Sequence, residues 1–237
     1  MPFTAAHPLA ILPFRRWLDP TTLAIGAMSP DFMYFARGEL AGNYGHTLPG
    51  IAIWCVPITL ACALLFHELV KWPLLLAAPR ALAARLVAAA REPWPRGLAL
   101  LIPSAVLGAV THVIWDGFTH GRGWAVRRLE PLQATLVLPV YRIIQHASTL
   151  LGLAILAVVL VRWFRRQPST PLPDVPRATA RWVLAICVAL GIAALYARAA
   201  VRHTFSAGDI VVAPISGTLA ALIVAGILLR GRARQLH

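Results

Sequence analysis

The chain has 237 residues, of which 59% are hydrophobic and 13% are charged, and its formal net charge at pH 7 is +13. Soluble domains are on average about half apolar and about a quarter charged, so this composition indicates an integral membrane protein and excludes an ordinary soluble domain. The basic residues are scattered between long apolar segments. This pattern is typical of the flanks of membrane spans, and it predicts contact with the lipid bilayer and no nucleic-acid partner.

Five apolar segments are long enough to cross a membrane, which takes about 20 helical residues. They cover residues 48–67, 98–116, 147–164, 182–201 and 210–229. Before them, segment 21–35 is too short to span and contains Pro30, so it is predicted as a membrane-dipping helix that breaks at this proline. Between the first two spans, arginines alternate with apolar residues, which predicts an amphipathic helix on the membrane surface.

These elements predict an all-α fold, a polytopic membrane helical bundle that forms one integral membrane domain over residues 1–237. Residues 1–160 carry the candidate metal site, residues 161–181 form a Pro-rich cytoplasmic connector, and residues 182–237 add two further spans. Lys and Arg are more numerous in the span-flanking segments on the side of the membrane that also holds the C-terminus. The positive-inside rule therefore places the C-terminus in the cytoplasm and the site on the extracytoplasmic side of the membrane. Nothing in the sequence indicates an oligomeric state.

Seven residues with metal-ligating side chains gather at one end of the predicted spans. The five-span topology places on one side of the membrane His7, Asp31, His46, His112, Asp116, His120 and His146. Ionisable groups at membrane depth are rare and mark functional sites by default. Imidazole and carboxylate ligands suit Zn²⁺, with Mn²⁺ or Fe²⁺ as alternatives in a more oxygen-rich set. The pattern therefore predicts a metal site.

His112 and Asp116 form the centre of this prediction. These two residues are four positions apart, so on a helix their side chains lie on the same face and can reach one ion. His120 lies about 12 Å from His112 along the same helix, so it can join that ion only if the helix breaks at Gly117. The other solution is a second ion about 3.5–4 Å from the first, bridged by a carboxylate.

Each of these residues also has a purely structural interpretation. A histidine at the membrane edge can bond a backbone carbonyl, and Asp31 after Ser-Pro can cap a helix. Arg142 can be one more interfacial arginine, although its position near His146 also suits binding of a phosphate. His120 is predicted either as a ligand or as the acid that protonates a leaving group.

Five stretches stand out in order along the chain: MPFTAAHP at 1–8, GAMSPDFMYF at 26–35, GHTLPG at 45–50, GAVTHVIWDGFTH at 108–120 and LPVYRIIQHASTLLGL at 138–153. Together they resemble a family of bacterial membrane proteins known as domain of unknown function 4184. That family is distantly similar to predicted membrane-bound metal-dependent hydrolases and, through them, to the zinc-dependent phospholipase C and P1 nuclease class.

This resemblance implies an all-α enzyme with a dinuclear or trinuclear zinc site. His112 and Asp116 match the H-x-x-x-D pair of that class, and Asp31 would supply a further carboxylate. The remaining implied ligands are His7, His46 and His146. A clear H-x-x-x-E motif is missing, which argues against a third ion.

The leading functional hypothesis is an integral membrane hydrolase that uses one or two zinc ions on a phosphoester, a phospholipid or a lipid-linked substrate at the membrane interface. In this hypothesis His120 transfers a proton and Arg142 steadies the phosphate. One alternative is a transporter or a proton or cation relay through His112 and Asp116, but a relay expects polar residues at several depths, whereas these gather at one end. Another is a non-catalytic membrane protein whose histidines and aspartates bond helices together.

Overall fold

The computed structural model describes residues 3–37, 44–94, 97–174, 176–202 and 207–233. Within these ranges the chain is helical, and its only β-type pairing is an isolated bridge between Thr135 and Pro139. Five helices of the described ranges are long and apolar enough to cross a membrane: Leu48–Ala77, Leu98–Thr119, Val140–Arg166, Ala178–Val201 and Val212–Gly231. The predicted all-α, polytopic class is therefore confirmed.

Short helices precede the first span. They are the 3₁₀ helix Thr4–Phe14, the α-helix Pro20–Gly26, the 3₁₀ turn Ser29–Asp31, the α-helix Phe32–Arg37 and the 3₁₀ turn Tyr44–His46. Asp19 caps the second of these by accepting a hydrogen bond from the backbone N–H of Thr22. The break predicted at Pro30 is present: the α-helix ends at Gly26, and the 3₁₀ turn Ser29–Asp31 precedes the next α-helix, which begins at Phe32. A proline lacks the backbone N–H that would continue the α-helical hydrogen bonds.

The first span extends beyond its predicted end near residue 67. The polar stretch that includes His67, Glu68 and Lys71 resembles a span terminus, but the helix continues to Ala77 because an apolar segment follows and its Trp72 is buried. Two π-helical stretches, Ile51–Cys55 and Phe66–Val70, interrupt this span. Such widened turns occur frequently at functional sites.

The helices group into two compact units. The first contains Met1–Phe32, Asn43–Ala63 and Arg96–Trp163, and the second contains Met33–Gly42, Leu64–Pro95 and Phe164–His237. Every site residue named from the sequence lies in the first unit. The single-domain organisation expected from the sequence stays a prediction.

In the first unit, helix Pro20–Gly26 packs backbone to backbone against the span Leu98–Thr119. A Cβ atom on Gly108 would lie 2.5 Å from the carbonyl oxygen of Leu23 and 2.7 Å from the backbone nitrogen of Ala27. Only glycine permits such an approach. Because His112 follows Gly108 by one helical turn, this contact brings His112 to the carbonyl of Ala27.

In the second unit, the predicted amphipathic helix is Arg80–Ala90, whose buried face includes Ala83 and Val87. The Pro-rich connector lies along this helix: Leu172 is buried, and the backbone N–H of Thr170 donates to the Ala84 carbonyl at 2.8 Å. The guanidinium of Arg177 donates to carbonyls at the end of the first span, where a helix terminus lacks internal partners. The connector is thus a packed segment.

We expect Gly108→Ala to lower the unfolding temperature of the detergent-solubilised protein, because the added methyl group must displace backbone atoms. Such overpacking costs about 1–3 kcal/mol. Circular dichroism on heating would measure the shift. Gly231→Ala is the matched control, since a Cβ there meets nothing within 4 Å. Equal unfolding temperatures for the two variants would contradict the close packing at Gly108.

Candidate metal centre

Four ligand-bearing side chains meet in the first unit. Asp31 comes from the turn Ser29–Asp31, His46 from the turn Tyr44–His46, and His112 and Asp116 from the span Leu98–Thr119. One ligand atom from each lies within 4.8 Å of all the others. Asp31 and His112 are 0% exposed and Asp116 is 6% exposed. The predicted convergence of an Asp/His set that could hold a metal is confirmed.

Neighbouring ligand atoms around the cluster are spaced as ligands of one metal ion would be. His46 Nε2 lies 3.5 Å from Asp31 Oδ1 and 3.2 Å from Asp116 Oδ2. His112 Nε2 lies 3.6 Å from Asp31 Oδ1 and 3.3 Å from Asp116 Oδ2. Ligand atoms at the usual distances from a tetrahedral zinc ion are about 3.3 Å from one another. The four neighbouring distances around the ring are close to this spacing, and the two remaining pairs of ligand atoms lie within 4.8 Å of each other.

The orientation of His112 leaves its Nε2 lone pair pointing into the cluster. Its Nδ1 lies 2.8 Å from the Ala27 carbonyl oxygen, which can only accept, so Nδ1 carries the proton and donates. Metal-binding histidines are commonly held in this way by a carbonyl on the other ring nitrogen. The close approach at Gly108 is what brings Ala27 within reach.

Two of the four facing ligand atoms are buried and make no hydrogen bond of acceptable geometry within the described residues. They are Asp31 Oδ1 and His112 Nε2. Buried polar atoms are nearly always satisfied, and exceptions call for an explanation such as a bound ion. A cation between these atoms would satisfy both.

Thr4 holds the Asp31 carboxylate through Oδ2, the oxygen that does not face the cluster. Its hydroxyl donates a 2.6 Å hydrogen bond to Asp31 Oδ2, which leaves Oδ1 directed at the cluster. The N-terminal segment therefore orients a candidate ligand through a residue that the sequence analysis did not single out. Thr4 lies within the stretch MPFTAAHP, but no residue spacing marks its hydroxyl as a group that orients a ligand.

The second oxygen of Asp116 faces a different pair of histidines. Asp116 Oδ1 lies 3.3 Å from His7 Nε2 and 3.4 Å from His120 Nδ1. The His7 ring stacks on His112 with centroids 3.8 Å apart. The two oxygens of one carboxylate thus serve two histidine sets, which is the arrangement required of a bridging ligand.

Burial favours the neutral form of His7 and His120, which is the form that binds metals or accepts protons. Burial lowers the pKa of His7, and this outweighs the hydrogen bond with Asp116, which acts in the opposite direction. Burial likewise lowers the pKa of His120 despite the nearby Asp116 charge. In both residues burial therefore acts against a positive charge on the imidazole.

His120 approaches Asp116 by a route that differs from the predicted break at Gly117. The helix continues through Gly117 and ends at Thr119, and His120 adopts an extended conformation. Its ring turns back so that Nδ1 lies 3.1 Å from the Asp116 carbonyl oxygen. Gly117 has another role, since any side chain there would overlap the indole of Trp124.

Arg142 and His146 have exposed side chains on the helix Val140–Arg166, and the four-residue group does not include His146. Their roles as phosphate-binding residue and ligand stay predictions. The buried residue of this turn is Gln145, which is 8% exposed. The sequence did not reveal the rotation of this helix, because polar residues lie at 142, 145 and 146 alike.

The fold and the cluster define an integral membrane protein with a buried Asp/His centre that could hold a metal ion. The family model described as domain of unknown function (DUF4184) matches residues 1–227, so the chain belongs to that family. Neither a curated protein nor a solved structure is significantly similar to the chain.

We expect His112→Ala and Asp116→Ala to reduce bound metal from about one ion per chain to less than a tenth, because each removes one of four ligands from a closed site. Elemental analysis of protein purified without chelator measures this. Asp174→Asn is the control, since that carboxylate is exposed, and it should retain the metal. We expect His146→Ala to retain it as well. Full occupancy in both cluster variants would contradict the site.

Thr4→Val tests the support of Asp31 without removing a ligand. We expect metal affinity to fall about 10- to 100-fold, the usual effect of losing a partner that orients a ligand. Competition with a chelator measures the affinity. Thr111→Val is the control, because within the described residues the Thr111 hydroxyl donates to the Gly108 carbonyl of its own helix and to no ligand of the cluster. An unchanged affinity in Thr4→Val would show that Asp31 needs no such support.

Proposed function

We propose that the protein is an integral membrane metal-dependent hydrolase that acts on a phosphoester or lipid-linked substrate at the membrane interface, through a site of one or two zinc ions. The observation that carries the proposal is the buried ring formed by Asp31 Oδ1, His46 Nε2, His112 Nε2 and Asp116 Oδ2. Two carboxylates and two imidazoles are a ligand set that zinc accepts.

These four atoms would hold the first ion. A second would use Asp116 Oδ1 and His7 Nε2, which face each other on the other side of the carboxylate. An ion in this site supplies Lewis-acid activation of water and polarisation of an ester or phosphoester. The chain contributes preorganisation, because Ala27 fixes the His112 ring and Thr4 fixes the Asp31 carboxylate before any ion binds.

His120 is suited to proton transfer at the rim of the site. Its side chain is 28% exposed, compared with 8% for that of Asp116 and 0% for that of His112. Because its Nδ1–H is directed at the Asp116 carbonyl, its Nε2 is the atom that can exchange a proton with a substrate. This geometry supports the proton-transfer role over the ligand role.

Features of the loop and helix that follow the site support an interfacial substrate. Leu136 and Val137 are 73% and 95% exposed, which suits contact with lipid and is unfavourable in water. The exposed guanidinium of Arg142 begins the next helix and could bind a phosphate group with two parallel hydrogen bonds. A lipid-linked phosphoester would satisfy both features.

We expect zinc-loaded protein in detergent to hydrolyse a phosphoester from a panel that includes bis(p-nitrophenyl) phosphate and phospholipids in mixed micelles. His120→Ala should lower kcat about 100- to 10,000-fold, the usual contribution of general acid–base catalysis, and retain the metal. Arg142→Gln should mainly raise KM. Arg127→Gln, another exposed arginine of the same inter-span segment, is the control.

Two results would contradict the hydrolase. One is a metal-replete protein that turns over no member of the panel. The other is His120→Ala with unchanged kcat, which would remove the proton-transfer role. Zinc uptake into proteoliposomes without any hydrolysis would instead support the transport alternative.

A further inference from the structure

A second candidate site lies in the second unit, and it is independent of the proposed hydrolase function. A cavity of about 600 Å³ is bounded by the later part of the first span, by residues 90–94 after the amphipathic helix, and by Gly226 and Arg230 of the last span. Ligand pockets typically have volumes of about 300–1,000 Å³. This cavity is therefore large enough for a small ligand or a lipid headgroup.

The wall of the cavity carries more positive than negative charge. Lys71, Arg91 and Arg230 line it together with only two carboxylates, Glu68 and Glu92. The Lys71 ammonium is held at the wall, where it donates a 2.9 Å hydrogen bond to the Ala90 carbonyl. An anionic ligand is therefore favoured over a cation.

The Arg230 guanidinium forms only a weak ion pair with Glu68, so it can bind a stronger anionic partner. It lies 3.5 Å from Glu68, and both side chains are about half exposed. Such exposed ion pairs are weak, whereas an arginine binds a phosphate through short, charge-assisted hydrogen bonds. A phosphate group would thus compete effectively with Glu68 for this guanidinium.

Trp94 adds an unused donor to the same wall. Its indole stacks on His67 with centroids 4.4 Å apart and planes within 3°. The indole Nε1–H is buried and has no hydrogen-bond acceptor within the described part of the chain. A buried donor of this kind is normally satisfied, and an oxygen of a bound phosphate would satisfy it.

Local backbone geometry keeps these groups together. His67 and Glu68 lie in the π-helical stretch Phe66–Val70, a widened turn of the type often found at functional sites. Gly226 lets the last span approach this turn, since any side chain there would overlap the Leu69 carbonyl. Arg230, one turn after Gly226, is brought to Glu68 by that approach.

We propose that this cavity binds an anionic phosphate group, presented either by a phospholipid headgroup or by phosphate free in water. The walls belong in part to spanning helices, and Trp and Arg at the ends of spans commonly meet lipid headgroups. The phosphate lies against Arg230, Lys71 and the Trp94 indole, and the overall anionic charge of the ligand is what the cavity selects.

Isothermal titration of the full chain in detergent tests this, with three probes: dihexanoyl phosphatidylglycerol, dihexanoyl phosphatidylcholine and inorganic phosphate. We expect phosphatidylglycerol to bind at least about tenfold more tightly than the zwitterionic lipid, the effect of about one charge-assisted hydrogen bond. Inorganic phosphate that binds as tightly would identify free phosphate as the source, and much weaker binding would identify the lipid. Because the metal centre could also take phosphate, each titration is repeated in His112→Ala, where binding should persist.

Two variants separate a binding role from a structural one. Arg230→Gln should weaken phosphatidylglycerol binding about tenfold, whereas Glu68→Gln should strengthen it, because Arg230 is then released. A purely structural ion pair would weaken binding equally in both. Arg128→Gln, an exposed cation of the first unit, is the control. Equal binding of the two lipids, loss of binding in His112→Ala, or an unchanged dissociation constant in Arg230→Gln would overturn the proposal.

Discussion

The structure of the first unit depends on two buried carboxylates that need positive charge. Asp31 is 0% exposed and Asp116 is 6% exposed, and an uncompensated buried charge costs several kcal/mol. The oxygens of both carboxylates and the imidazole nitrogens of His46 and His112 face one another as the ligands of a cation would. A divalent ion would cancel both carboxylate charges and satisfy the buried atoms that lack hydrogen bonds.

Close backbone contacts and helix ends in the surrounding helices position the candidate ligands. The glycine contact between Pro20–Gly26 and the span Leu98–Thr119 places the Ala27 carbonyl on His112. The 3₁₀ turn that contains Pro30 carries the buried Asp31, and the end of the span at Thr119 lets the His120 ring approach the Asp116 carbonyl. Backbone geometry, more than side-chain length, therefore sets the positions of the candidate ligands. This is the preorganisation that a metal site requires.

Much of this organisation can be predicted from the sequence, for physical reasons. Apolar length alone identifies five spans, and the spacing of His112 and Asp116 places both on one helical face. The topology then brings His7, Asp31 and His46 to the same end.

The sequence does not show the roles of Thr4 and Ala27, because a hydroxyl or carbonyl that orients a ligand has no spacing rule. Nor does it show that His120 leaves the helix, since that depends on where the last turn ends. The continuation of the first span past His67 was missed because a polar stretch inside a helix looks like its terminus.

The central claim is that the ring of two imidazole nitrogens and two carboxylate oxygens binds a divalent metal ion. X-ray absorption at the zinc edge, on the full chain purified in detergent without chelator, tests it most directly. The account predicts a first shell of nitrogen and oxygen atoms at about 2.0–2.1 Å with outer scattering from at least two imidazoles. Sulfur scattering at about 2.3 Å would place the ion on a cysteine instead, and protein that stays free of metal when zinc is supplied would contradict the claim outright.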